Sequence, residues 1–135
     1  MHTKRKINLV SGILIVIMLA SWLANFGWVR LAGTFMLIPL LHPMAFFIGN
    51  YLSAELFADH PKVRWMTVLS FITFLLPHLL IADVGDVGEA YVFFHWIENS
   101  TVAAITSSIG YAALVLHLTA LIIQYVLVFL SRRKA

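Results

Sequence analysis

Apolar runs alternate with short polar breaks along the whole chain, and four of them, residues 7–26, 31–52, 65–82 and 109–130, approach or exceed membrane width. At ~1.5 Å per residue, roughly 20 helical residues cross a hydrocarbon core of about 30 Å. Only Gly27, Trp28, Val29 and Arg30 separate the first two runs, which predicts an antiparallel hairpin. A polar turn at 53–64, carrying Asp59, His60 and Pro61, separates the second from the third. Between the third and fourth lies an outer segment, 83–108, that begins acidic and glycine-punctuated. It continues with Tyr91, Phe93, Phe94 and Trp96, aromatics suited to the headgroup level. The predicted fold is all-α: one transmembrane domain of four helices in an up-down-up-down bundle, with no soluble domain.

Polar positions inside the runs are patterned. In the first, Asn8, Ser11, Ile15, Met18, Trp22 and Asn25 recur at spacings of three and four, so one face looks inward. In the second, Pro39 and Pro43 lack the N–H that a helix needs, which predicts a kink facing protein or a small wet cavity. The third carries Thr67, Ser70 and Thr73, with Pro77, a further kink candidate, and His78 in its last turns. No proline interrupts the fourth, so its helix can begin as early as Glu89 or Ser100. Along it Ser107, Gly110, Ala113, His117, Ala120 and Gln124 form a stripe of small and polar residues, the pattern of a helix-packing face.

Composition sharpens this picture. With 61% hydrophobic and 11% charged residues, the chain has too little polar surface to cover a soluble globule, so the lipid bilayer is its first partner. The net charge of +3 comes from bases at the ends of apolar runs rather than from a basic stripe, which excludes a nucleic-acid reading. With the N-terminus in the cytoplasm, Lys4, Arg5, Lys6, Lys62, Arg64, Arg132, Arg133 and Lys134 lie inside and Arg30 alone outside. A fifth span at 90–109 would spoil that bias and bury His95, Glu98 and Asn99. The start resembles a signal peptide, but its apolar run is too long and no small-x-small cleavage site follows, so a retained helix is expected. Both termini are expected in the cytoplasm of a bacterial cell, with the protein in the plasma membrane. The absence of cysteine removes disulfides, thiolate metal sites and covalent haem attachment.

Candidate chemistry rests on histidine. His42, His78 and His117 lie within spans, at depths of about 16, 6 and 12 Å from the outer ends at the helical rise. Intramembrane histidines mark sites by default, and two on facing helices are the ligand set of haem b. The plainer reading is that His42 and His78 serve carbonyls freed by neighbouring prolines, while His117 joins the packing stripe. Asp83, Asp86 and Glu89 offer oxygen ligands for a hard cation on the outer face, though a merely acidic, solvated loop explains them as well. His95 and Glu98 are spaced to touch, but no nucleophile with a base, acid pair in a cleft or phosphate loop is present, so no catalytic residue and no enzyme activity is expected. The leading expectation is a non-catalytic accessory, assembly, sensory or immunity-type subunit that works through helix contacts with a membrane-protein partner or a second copy. A haem-b or redox subunit, and a small oligomeric transporter or channel built on the broken helices, are the alternatives.

Overall fold

A computed structural model describes residues 2–85 and 88–133 and is mostly helical. Among the described residues the helices are α1 (His2–Ala24), α2 (Trp28–Phe35), α3 (Ile38–Ser53), α4 (Pro61–Leu80) and α5 (Ser100–Arg132). A short hairpin precedes α5, with β1 (Tyr91–Val92) pairing antiparallel to β2 (Ile97–Glu98), Tyr91 opposite Glu98. Phe93, Phe94 and His95 at its tip all take left-handed backbone angles, held by the Asn25 side-chain oxygen accepting from the His95 N–H. This hairpin is absent from the all-helical expectation.

The second apolar run is not one kinked helix. It breaks at Met36 and Leu37 into α2 and α3, whose axes differ by 69°. Pro39 is the local cause: it occupies the first turn of α3, where its missing N–H costs nothing, and it cannot donate backwards to extend α2. Leu37 turns the chain with a left-handed φ of 58°. Pro43 and Pro77, by contrast, lie inside the continuous helices α3 and α4. The last helix starts at Ser100, one of the two early starts that the sequence allows, because the Asn99 side chain accepts the Val102 N–H at 3.0 Å and caps it. Three helices, from Thr3, Pro61 and Ser100 onward, are long and apolar enough to cross a membrane, and α2 with α3 makes a fourth crossing if the bent pair is one span.

Partner residues give the helix directions. Lys4 meets Glu55 while Ser21 meets His78, and Gln124 meets both Asn50 and Thr67, so α1 and α4 run one way and α3 and α5 the other. At the Lys4 end, Glu55 accepts from Lys4 Nζ at 2.7 Å and from Arg132 Nη2 at 2.9 Å, tying both ends of the described chain together. Met18, Phe46 and Phe74 make an apolar core on the α1 side, with the two phenyl rings stacked at 3.8 Å. The α5 stripe packs on α4: a Cβ on Gly110 would approach Ile81 to 2.8 Å, and Ser107 Oγ accepts the Ala82 N–H. Leu9, Val16, Leu23, Val115 and Ile122 point outward and are mostly exposed, the apolar girth of a membrane-embedded protein.

Candidate functional site

The end opposite Lys4 is closed by a buried ion pair. Asp83 is fully buried, and its Oδ1 accepts the Val29 and Val84 N–H groups at 2.8 Å while its Oδ2 accepts the Arg30 N–H at 2.8 Å. The carboxylate thus satisfies the free donors that open α2 and meets the positive end of its dipole. The Arg30 guanidinium, 4% exposed, reaches Asp83 Oδ2 at 3.3 Å and donates to the carbonyls of Asn25, His78 and Ile81. Those carbonyls end α1 and α4, so one side chain caps two helices. Gly27 permits the approach, since a Cβ there would collide with Val84 O, Tyr91 Oη and Asp83 Oδ1. Tyr91 adds a hydrogen bond from its hydroxyl to Phe26 O, and burial, with Asp83 nearby, raises its phenol above the ordinary range.

Beneath this clamp the three histidines come together. His42 Nδ1 and His78 Nε2 share a proton across 3.1 Å, and the His42 and His117 rings stand edge-on with centroids 5.0 Å apart. The break between α2 and α3 shortens the axial path from Leu31 to His42, which brings it toward the level of His78. The tautomer of His117 follows from its partner. Thr73 Oγ1 gives its only hydrogen to Leu69 O at 2.8 Å, so it can only accept from His117 Nδ1 at 3.1 Å. The proton therefore rests on Nδ1, and His117 Nε2 is a bare acceptor. That atom is buried and has no partner, as is His42 Nε2.

Polar groups continue down the α3, α4 and α5 interface. Ser53 and Thr67 give their hydrogens to Gly49 O and Val63 O, so they accept from the Gln124 amide at 2.8 and 3.3 Å, and Asn50 Oδ1 accepts from it at 2.9 Å. This fixes the amide orientation and leaves Gln124 Oε1 and Asn50 Nδ2 buried without partners; Ser70 Oγ, between the two levels, has none either. Natural interiors leave few such atoms unmatched.

A half-enclosed cleft of about 500 Å³ opens beside the histidines. Its lining is largely apolar, including Trp22, Leu41, Leu114 and Leu118, and Arg30, His42 and His78 also reach it. Met36, Ile38 and Leu41 line the mouth and are exposed, so the opening lies on the outward apolar flank at the α2–α3 break.

Other expected positions are placed differently. Asp83 is committed to the clamp and Glu89 accepts the Ser100 N–H, while Asp86 lies outside the described residues. Among the described residues no three His, Asp or Glu side chains are grouped to hold a metal. Neither pairing of His42 with its neighbours leaves a gap that a flat macrocycle could enter, so the geometry lends a bis-histidine haem no support. His95 and Glu98 do touch, at 2.8 Å, but on the exposed hairpin. Sequence reasoning missed the Arg30–Asp83 pair. Its signal was a lone arginine and the first acid after the third run, both assigned to the same membrane boundary. No protein-family model, curated protein or solved structure matches the chain, so its function is read from the geometry alone.

Proposed function

We propose that the chain crosses the membrane four times, with α2 and α3 as one broken crossing and both ends in the cytoplasm, and that it binds a lipid-soluble small molecule bearing a hydrogen-bonding head. One observation carries this reading: a half-enclosed apolar cleft lined in part by the hydrogen-bonded His42 and His78 pair and by Arg30. Its volume lies in the range of small-molecule sites, and apolar walls with a few convergent polar groups are how such sites fix a ligand's orientation. A lipid tail gains nothing from imidazole in the lining, whereas a carbonyl or hydroxyl head does. The role is binding, as a sensor or carrier. Gly110, Ala113, His117, Ala120 and Gln124 are buried inside the chain, so this stripe packs within the protein itself.

The test is mass spectrometry of small molecules extracted from protein purified in native-lipid nanodiscs. Wild-type protein should carry one compound enriched over bulk lipid. Leu41→Trp, which fills the cleft, should lose it, and Val115→Trp, on the outward face of α5, should keep it. Identical extracts from all three would overturn the reading.

A further inference from the structure

We propose that the polar file running from His42 and His78 through His117, Ser70 and Gln124 to Ser53 is a hydrated path for protons between the cleft and the Lys4, Glu55 and Arg132 end. The inference goes beyond ligand binding and needs no particular occupant in the cleft. Among the described residues six buried side-chain polar atoms lack partners, and five of them belong to this file: His42 Nε2, His117 Nε2, Ser70 Oγ, Asn50 Nδ2 and Gln124 Oε1. An unmatched polar atom in a dry interior is costly, and five along one seam are satisfied together by water.

The spacing suits water bridges. Thr67, Ser70 and Thr73 follow at intervals of three on α4, which puts neighbouring Cβ atoms roughly 5–6 Å apart. One water making two hydrogen bonds of about 2.8 Å covers that distance. The two threonine hydroxyls are pinned to Val63 O and Leu69 O, whereas Ser70 is free to turn and both accept and donate. His117 Nδ1 stays on Thr73, so a proton arriving from the His42 side is taken at Nε2, giving the imidazolium. It leaves from the same nitrogen to water beside Ser70, and the neutral ring returns unchanged. No redox partner is needed, and no bond to carbon changes.

The surroundings favour protons over metal cations. From α3, α4 and α5 the titratable groups facing the file are His42, His78, His117 and Tyr125, whose hydroxyl is engaged with Ala45 O. From α1 the buried groups are Ile7, Ser11, Met18 and Ser21, which are neutral, and Ser21 donates to His78 O. Arg30 and Asp83 neutralise one another at the outer end, and Glu55 meets Lys4 and Arg132 at the other. No fixed negative charge lies between to attract sodium or potassium, and the stacked Phe46 and Phe74 rings crowd the histidine level against a hydrated ion.

The test uses the full-length protein in phosphatidylethanolamine and phosphatidylglycerol vesicles that enclose a pH dye, with a potassium diffusion potential set by valinomycin. Wild-type vesicles should acidify about tenfold faster than protein-free ones. Ser70→Val and His117→Phe should each remove most of that excess, and Ser70→Thr should restore it. Ser70→Ala provides a variant that removes no hydrogen bond of the fold, so a loss of flux there is not a loss of folding. Wild-type flux equal to that of empty vesicles, or Ser70→Ala and His117→Phe conducting like wild type, would overturn the path. Failure to find a cleft ligand leaves this test untouched, because the vesicles supply protons alone.

Discussion

The Arg30–Asp83 clamp and the interior file are both polar and both buried, yet they are built on opposite principles. In the clamp the Asp83 carboxylate takes three N–H groups and a guanidinium, and Arg30 spreads its donors over three carbonyls and that carboxylate. In the file five atoms from α3, α4 and α5 have no partner. A fully matched network offsets its own desolvation and locks one arrangement of the chain. An unmatched one offsets nothing internally, so its retention points to a solvent or solute that supplies the missing bonds. The clamp therefore belongs to the fold, and the file carries the proposed path.

The largest expected effect tests the first half of that contrast. Asp83→Ala strips three backbone donors of their acceptor and leaves a buried guanidinium without its counter-charge, a change that costs about 3–5 kcal/mol in buried pairs. Reversible unfolding in mixed micelles should read it directly, and replacing both partners, Arg30→Met with Asp83→Leu, should recover part of the loss. A cost under about 1 kcal/mol, the value of an exposed pair, would mean that water reaches the clamp and that the two regions do not differ as argued.

How much of this is legible in the sequence depends on how local each cause is. The apolar runs announce the long helices, because lipid exposure demands composition and length that no loop supplies. Pro39 announces a break, but its position at Leu37 follows from where the chain finds room to take a left-handed turn. The hairpin could not be read: its strands are two residues each and its tip hangs on Asn25, seventy residues away. Arg30 and Asp83 are 53 residues apart, so only the packed helices make them partners, and a proposed cation ligand becomes a helix cap. The three histidines were visible as candidates one by one. Their contact required the bend between α2 and α3, which periodicity does not record.

A smaller effect tests the second half. Ser70→Ala should change stability by less than about 0.5 kcal/mol, because the hydroxyl is buried but bonds to nothing in the chain. The same unfolding measurement would expose a hidden structural bond as a cost near 1 kcal/mol. Near-neutral stability together with lost proton flux would separate function from fold at a single oxygen.

The smallest effect comes from an exposed ion pair, and it shows what separates the clamp from ordinary salt bridges. Lys4 and Glu55 approach to 2.7 Å, closer than the 3.3 Å between Arg30 and Asp83, yet both side chains of the first pair are well exposed. Its hydrogen bond with Lys4 holds the Glu55 carboxyl below the ordinary 4.5. A depressed carboxyl contributes stability above its unfolded pKa and loses it as pH falls through the folded one, so the window opens below pH 4.5. Melting curves should therefore fall slightly more steeply on acidification in wild type than in Glu55→Gln, and added salt should erase the difference, since exposed pairs are screened. An effect as large as that of Asp83→Ala would make bond length the governing variable. The expected ranking makes it burial, with the shorter contact contributing least because water competes for both of its ends.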